Sequence, residues 1–434
     1  MRQLYLAATG MNRGKTTFAL GLLAALMDRG LNTGFMKPVG QRYDVVDGVP
    51  ADEDAILVRT VLGIPDPLDA MSPVHIPRGF TKAFISGEVV EDLGERVRQA
   101  HRRVAKGRDV LLLEGTGHAG VGSVIGLSNA DVARMLGAPV VIVSEAGVGR
   151  PIDEIVLNRA LFARHGVEVV GAVVNKVDAD AHPSLPDILR RGLALHGIEL
   201  LGTLPYRPLL SNPTLSMLVE QMPGEVLNEG ADLDRAIEHV AIGAMQPRHL
   251  LERIGPGSLL IVPGDREDVI HATIAANRTQ RALSREPGLL DRLRNRSRYG
   301  RRPEDPNAIE LAGMVFTGGY RPRQQDLDAI RNAGLFAYLV NEDTYRAASD
   351  VHDLLVKTHP SDAAKIVEIR HLVSEHLDVG RLLERFEEPQ PRRRNAAGGP
   401  AAREADRLPS EAGPLAIVRA GVRRLTRAGD TLRH

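Results

Sequence analysis

The sequence predicts an α/β protein: a mostly parallel sheet with helices on both faces, followed by a second, smaller α/β unit. Three observations carry this. Six apolar runs, at 4–8, 33–37, 110–114, 139–144, 167–175 and 198–204, alternate with helical stretches such as 16–30 and 153–166. The runs are continuous rather than alternating, the pattern of strands covered on both faces. Near Pro205 and Pro208 the pattern breaks, then resumes with new apolar runs at 258–265, 311–319 and 335–340.

Domain boundaries follow. Residues 1–213 form the first unit and 214–379 the second, which contains an Arg-rich insertion at 277–307. The remainder, 380–434, rich in Pro, Gly, Ala and Arg, reads as a basic, disordered tail. Within it, 415–429 has the pattern of a short basic amphipathic helix, a candidate contact for a protein partner.

Composition narrows the function. The 434 residues contain no cysteine, which excludes disulfides, thiolate metal sites and thiol nucleophiles. No apolar run approaches the roughly 20 residues of a membrane span, and the N-terminus lacks a leader pattern, so a cytoplasmic protein is expected. Lys and Arg total 55, equal to Asp and Glu, and no nucleic-acid footprint is expected. Only seven of the 55 are Lys, and three of these, Lys15, Lys37 and Lys176, fall inside the motifs below.

The sharpest motif is Thr9-Gly10-Met11-Asn12-Arg13-Gly14-Lys15-Thr16-Thr17, between the first strand run and the first helix. This is the context of a phosphate-binding loop, although Thr9 stands where the usual spacing has a glycine. Gly10 and Gly14 admit the tight turn, and the helix N-terminus offers unpaired N–H donors. Lys15 reaches terminal phosphates and the Thr16 hydroxyl ligates Mg²⁺. The nucleotide-contacting set is therefore Thr9, Gly10, Asn12, Arg13, Gly14, Lys15, Thr16 and Thr17. Arg13 reads equally as a solvated side chain or a bridge to a phosphate or a second subunit.

Glu114 ends the run Val110–Glu114, at the strand edge where ligands of open α/β sheets bind. It is a candidate Mg²⁺ ligand. Lys37 ends the second run on the same edge, and the acidic turn Asp52-Glu53-Asp54 lies beyond it. Asn175-Lys176-Val177-Asp178 has the form of a guanine-specificity signature, yet Asn175 in that position serves adenine equally well.

Together, TGMNRGKTT, FMKPVGQ (35–41), Asp54, LLLEGTGH (111–118), SNADVARMLGAPVVIVS (128–144) and VVNK (173–176) resemble dethiobiotin synthetase. More closely, they resemble the synthetase-like N-terminal region of long phosphate acetyltransferases. The resemblance implies a P-loop NTPase-type fold binding ATP and Mg²⁺, with Thr16, Asp54 and Glu114 at the metal. It also implies Lys15 and Lys37 as catalytic cations and Asn175 at adenine. The second unit resembles a DRTGG domain through PGDRED (263–268), FTGG (316–319) and VNEDTY (340–345), a module associated with dimerisation and regulation. The catalytic acetyltransferase domain is expected to be absent. The expected protein is a homodimeric, Mg-ATP-binding regulatory or slow ATPase. The alternatives are an ATP-dependent carboxylate- or carbamate-activating ligase, resembling dethiobiotin or cobyrinate diamide synthetase, and a GTP-dependent switch.

Overall fold

A computed structural model describes residues 1–89, 91–178, 181–230, 232–285, 310–354 and 356–385. The chain divides into two compact units, residues 1–205 with the described residues from 370 on, and residues 206–369.

In the first unit, β1 (Arg2–Ala8), β2 (Thr33–Met36), β3 (Val39–Gly40), β4 (Tyr43–Val46), β5 (Val49–Asp52), β6 (Val74–His75), β7 (Val110–Glu114), β8 (Val140–Glu145), β9 (Val169–Val177) and β10 (Leu200–Pro205) follow in order. Six of them form one sheet in the order β10-β9-β8-β1-β7-β2, with every pairing parallel. These are the six runs read from the sequence. Their central members are buried at nearly every position, because helices cover both faces and leave no polar side to alternate. On one face, Tyr5, Ala7, Leu111, Leu113, Val140 and Ile142 pack with Val97, Ala130, Ile155 and Phe162 of the covering helices.

The strand order reverses around β1. The chain runs from β1 to β2 at one edge, returns to β7, then crosses to β8 on the other side. Such a reversal opens a crevice at the C-terminal strand ends, and the loop after β1 and the acid ending β7 both lie there. The antiparallel hairpin β4–β5 and the pair β3–β6 lie outside the main sheet.

The second unit holds β11 (Glu225–Asn228), β12 (His239–Ile242), β13 (Ser258–Pro263), β14 (Leu311–Thr317) and β15 (Phe336–Leu339) in the order β11-β15-β14-β13-β12. All pair in parallel except β11, which runs antiparallel to β15. The three inner strands are the runs legible in the sequence. β11 and β12 are short, partly exposed edge strands without an apolar run to mark them.

The division differs from the boundaries expected at 213/214 and 379/380. Arg370 pairs with Asp28 at 2.9 Å, Leu377 bridges to Gly202, and Arg381 pairs with Glu199 at 2.5 Å, so the chain from 370 belongs to the first unit. The segment expected to begin the tail starts instead with the helix Val379–Glu384. The rest of the expected tail, its helix at 415–429, and residues 286–309 of the Arg-rich stretch lie outside the described residues. The start of that stretch continues the helix Glu267–Arg285.

Candidate phosphate-loop site

β1 ends at Ala8, and the loop that follows is held from below: Thr9 Oγ1 lies 3.1 Å from Ser144 Oγ at the end of β8. Asn12 and Gly14 adopt left-handed backbone (φ 57° and 86°). Gly14 has a second reason to be glycine, since a Cβ there would lie 2.0 Å from Nδ2 of Asn175. That amide donates to the carbonyl of Arg13 at 3.2 Å. Asn175 therefore packs under the loop and supports its backbone.

Helix α1 (Lys15–Met27) starts at Gly14 with no side-chain cap and no acidic residue in its first turn. Its first N–H groups and the positive end of its dipole are left for an anion. Lys15, in that turn, is 8% exposed, and among the described residues its ammonium has no hydrogen-bond or ion-pair partner. Burial, reinforced by the nearby Lys37, pulls its pKa down to about 8. Desolvation of an ammonium with no counter-ion in contact is unfavourable, and an anion at the helix N-terminus would offset it.

Strand register assembles the opposite wall. β2 lies beside β7 with Met36 opposite Leu113, so the next residues, Lys37 and Glu114, emerge side by side. Lys37 Nζ lies 2.9 Å from Glu114 Oε1 and also pairs with Asp54. Thr16 Oγ1 donates to the same Glu114 oxygen at 3.0 Å. Burial opposes the charge on Lys37, but Asp54 and Glu114 outweigh it and hold its pKa well above the ordinary value. Burial pushes Glu114 up to about 7, against the pull of Lys37. Asp54 is also penalised by burial, yet Lys37 holds it below the ordinary range.

The acidic turn 52–54 separates into three roles. Asp52 caps the helix Glu53–Leu62, accepting from Asp54 N at 3.0 Å. Glu53 faces outward into a cleft, and Asp54 reaches Lys37.

The donors fit Mg²⁺. The Thr16 hydroxyl and the carboxylates of Asp54 and Glu114 are hard oxygen ligands. Glu114 Oε2 is buried and has no hydrogen-bond partner among the described residues, so its lone pairs are open to a cation. Among the described residues no group of three or more His, Cys, Asp or Glu side chains could hold a metal. The set instead matches the sparse carboxylate-plus-hydroxyl type that a nucleotide's own phosphates complete.

Arg13 does not project as a free side chain. Its guanidinium pairs with Glu145 and lies 3.9 Å from Glu154, and Lys176 pairs with the same Glu145 at 2.6 Å. Glu145, the acid ending β8, was missed in the sequence because the apolar run was closed at Ser144. An acid ending a central strand beside a phosphate loop was the available signal. Gly10 and Thr17 sit in the loop and the first helical turn as expected, both partly buried. Asp178, the last residue of the guanine-type signature, accepts from Ala181 N at 2.9 Å.

In the second unit, the Gly318-Gly319 turn spends its own donors inside the protein. Gly318 N donates to Glu342 O at 2.7 Å and Gly319 N to Val340 O at 2.9 Å. A Cβ on Gly264 would lie 1.6 Å from Tyr320 O. These glycines let three strand-end loops pack on one another.

Fold and site thus define a P-loop NTPase-type domain followed by a smaller α/β domain. Residues 2–214 match the AAA_26 family model, described as an AAA domain, and residues 217–354 match the DRTGG domain model. Among curated proteins, the phosphate acetyltransferase of Nitrosomonas europaea is 24% identical over 406 residues, covering 91% of this chain and 53% of that protein. Those of Pseudomonas putida and Deinococcus radiodurans are 27% and 28% identical, each covering 90% of this chain and 52% of the relative. The chain spans about half the length of the curated relatives it matches. Among the described residues, no helix is long and apolar enough to cross a membrane.

Proposed function

We propose that the first unit binds Mg-ATP and hydrolyses it slowly, as a regulatory nucleotide-binding module of the phosphotransacetylase N-terminal type. The observation that carries this reading is Lys15, a largely buried side chain whose ammonium has no partner among the described residues, set at an uncapped helix N-terminus. Lys15 and the loop N–H groups hold the β- and γ-phosphates. Thr16, Asp54 and Glu114 hold Mg²⁺, which when bound neutralises charge on the phosphates. Lys37 balances the Asp54–Glu114 carboxylates, and its ammonium would supply positive charge to a transferring phosphoryl group held at this edge. The guanine reading loses support because the Asp178 carboxylate it needs already accepts from Ala181 N; Asn175, expected at adenine, donates instead to the Arg13 carbonyl, so adenine rests on the family resemblance alone.

Calorimetric titration with MgATP and MgGTP tests the reading, with Lys15→Ala as the control. Expected are binding of MgATP over MgGTP and a loss of at least about a hundredfold in the variant, near 2.7 kcal/mol. Equal binding by wild type and variant would remove the phosphate-loop assignment. Tighter GTP binding would convert the protein into a guanine-nucleotide switch.

A further inference from the structure

Beyond the carboxylate pair, an open cleft of about 820 Å³ is lined by Gln41, Arg42, Tyr43, Ile76, Pro77 and Arg78. Its volume lies in the range of small-molecule sites, roughly 300–1,000 Å³. Its lining carries two arginines and one acid. Nearby arginines are spoken for: Arg96 pairs with Glu91, Arg98 and Arg102 with Glu95, Arg103 with Asp69, and Arg108 with Asp66. Among the described residues, the side chains of Arg42 and Arg78 have no ion-pair or hydrogen-bond partner. Both arginines line one cleft, and a guanidinium is a planar fork suited to a carboxylate or phosphate. Glu53 is the sole acid among the lining residues.

The walls are held by backbone rather than by the charges. β3 pairs with β6, placing Gly40 opposite His75, and Ile76 N donates to Gly40 O at 3.0 Å. On the other side, the β4–β5 hairpin carries Tyr43, whose ring tilts against His75 with centroids 5.4 Å apart. Ile76, Pro77 and the Tyr43 ring give the cleft an apolar side, and the Gln41 amide adds neutral donors. The cleft also adjoins the phosphate-loop site through the chain itself. Gln41 lies four residues past Lys37, and Glu53 directly precedes Asp54, which pairs with Lys37.

We propose that this cleft binds a small organic anion, a carboxylate or phosphate on a short apolar body, clamped by Arg42 and Arg78. It is a second ligand site of the first unit, distinct from the nucleotide phosphates. It stands on the cleft's own geometry and not on the nucleotide reading.

The test uses the full chain and two probes, succinate and inorganic phosphate, titrated calorimetrically into wild type, Lys15→Ala and the double variant Arg42→Gln/Arg78→Gln. The expected result is binding of at least one probe that persists in Lys15→Ala, is screened by added salt, and is at least about tenfold weaker in the double variant. Preference for succinate identifies a carboxylate ligand, and preference for phosphate a phosphorylated one. The proposal is overturned if neither probe binds at about 10 mM or if the double variant binds as wild type does. It is also overturned if binding disappears in Lys15→Ala alone, which would put the anion on the phosphate loop. Anion binding that needs Arg42 and Arg78, in a protein that fails to bind MgATP, would leave this site standing while the nucleotide reading fell.

Discussion

The ammonium of Lys37 lies 2.9 Å from Oε1 of Glu114, and the same nitrogen pairs with Asp54, so one buried cation joins the ends of β2 and β7 to the helix that follows β5. Lys37 is 4% exposed and Glu114 is fully buried, so neither charge can exchange its partner for water without moving.

Removing one member of a buried charge cluster leaves the others uncompensated, at a cost of about 3–5 kcal/mol. Lys37→Met is therefore expected to lower the melting temperature markedly in EDTA at pH 8. Mg²⁺ should restore part of the loss, because it supplies positive charge to the same carboxylates. Differential scanning calorimetry with and without Mg²⁺ decides it; a variant as stable as wild type in EDTA would show that the cluster contributes nothing net.

Lys15 carries a pKa lowered to about 8 by burial and by Lys37, and bound phosphate favours its charged form. The free protein thus loses the Lys15 proton as pH rises through 8, whereas the complex retains it. Affinity for MgATP should be level between about pH 6.5 and 7.5 and fall above pH 8, approaching tenfold per pH unit. Binding that stays level to about pH 9.5 would contradict a buried, proton-releasing Lys15.

Asp52 is pushed up to about 6, chiefly by burial, with Lys37 opposing and Asp54 adding to the rise. A folded pKa above the unfolded value means that the native state binds the extra proton, so this group's contribution falls as pH climbs from about 4 through 6. Asp52→Asn keeps an oxygen for the Asp54 N–H and removes the ionisation. Relative to wild type it should gain stability on going from pH 4 to pH 7, in urea melts at the two pH values. A variant that loses ground over that interval would reverse the sign argued here.

Gly264→Ala would place a methyl group 1.6 Å from the carbonyl oxygen of Tyr320, a contact that only backbone movement relieves. The expected cost is about 3 kcal/mol or more, seen as an earlier unfolding transition of the second unit. A melt unchanged from wild type would mean that the two loops are not packed as described.

Much of this protein was legible before any coordinates. The six strands of the first sheet were readable because burial on both faces demands unbroken apolar runs, a local signal. The phosphate loop was readable because its chemistry is built from consecutive residues, Thr9 to Thr17, at one strand–helix junction. The strand-end positions of Lys37 and Glu114 placed both on one sheet edge. Short edge strands such as β11 and β12 carried no such signal, since exposure leaves them free to use polar residues.

The sequence by itself determined the layered α/β architecture and the phosphate-loop motif, because periodicity and a contiguous motif are properties of neighbouring residues. Only the tertiary structure decided which charges meet: Lys37 between Asp54 and Glu114, Arg13 and Lys176 on Glu145, Asn175 beneath Gly14, and the chain beyond Arg370 on the first unit. Those pairings join residues tens to hundreds of positions apart, and their energies depend on burial and distance, which no local pattern encodes.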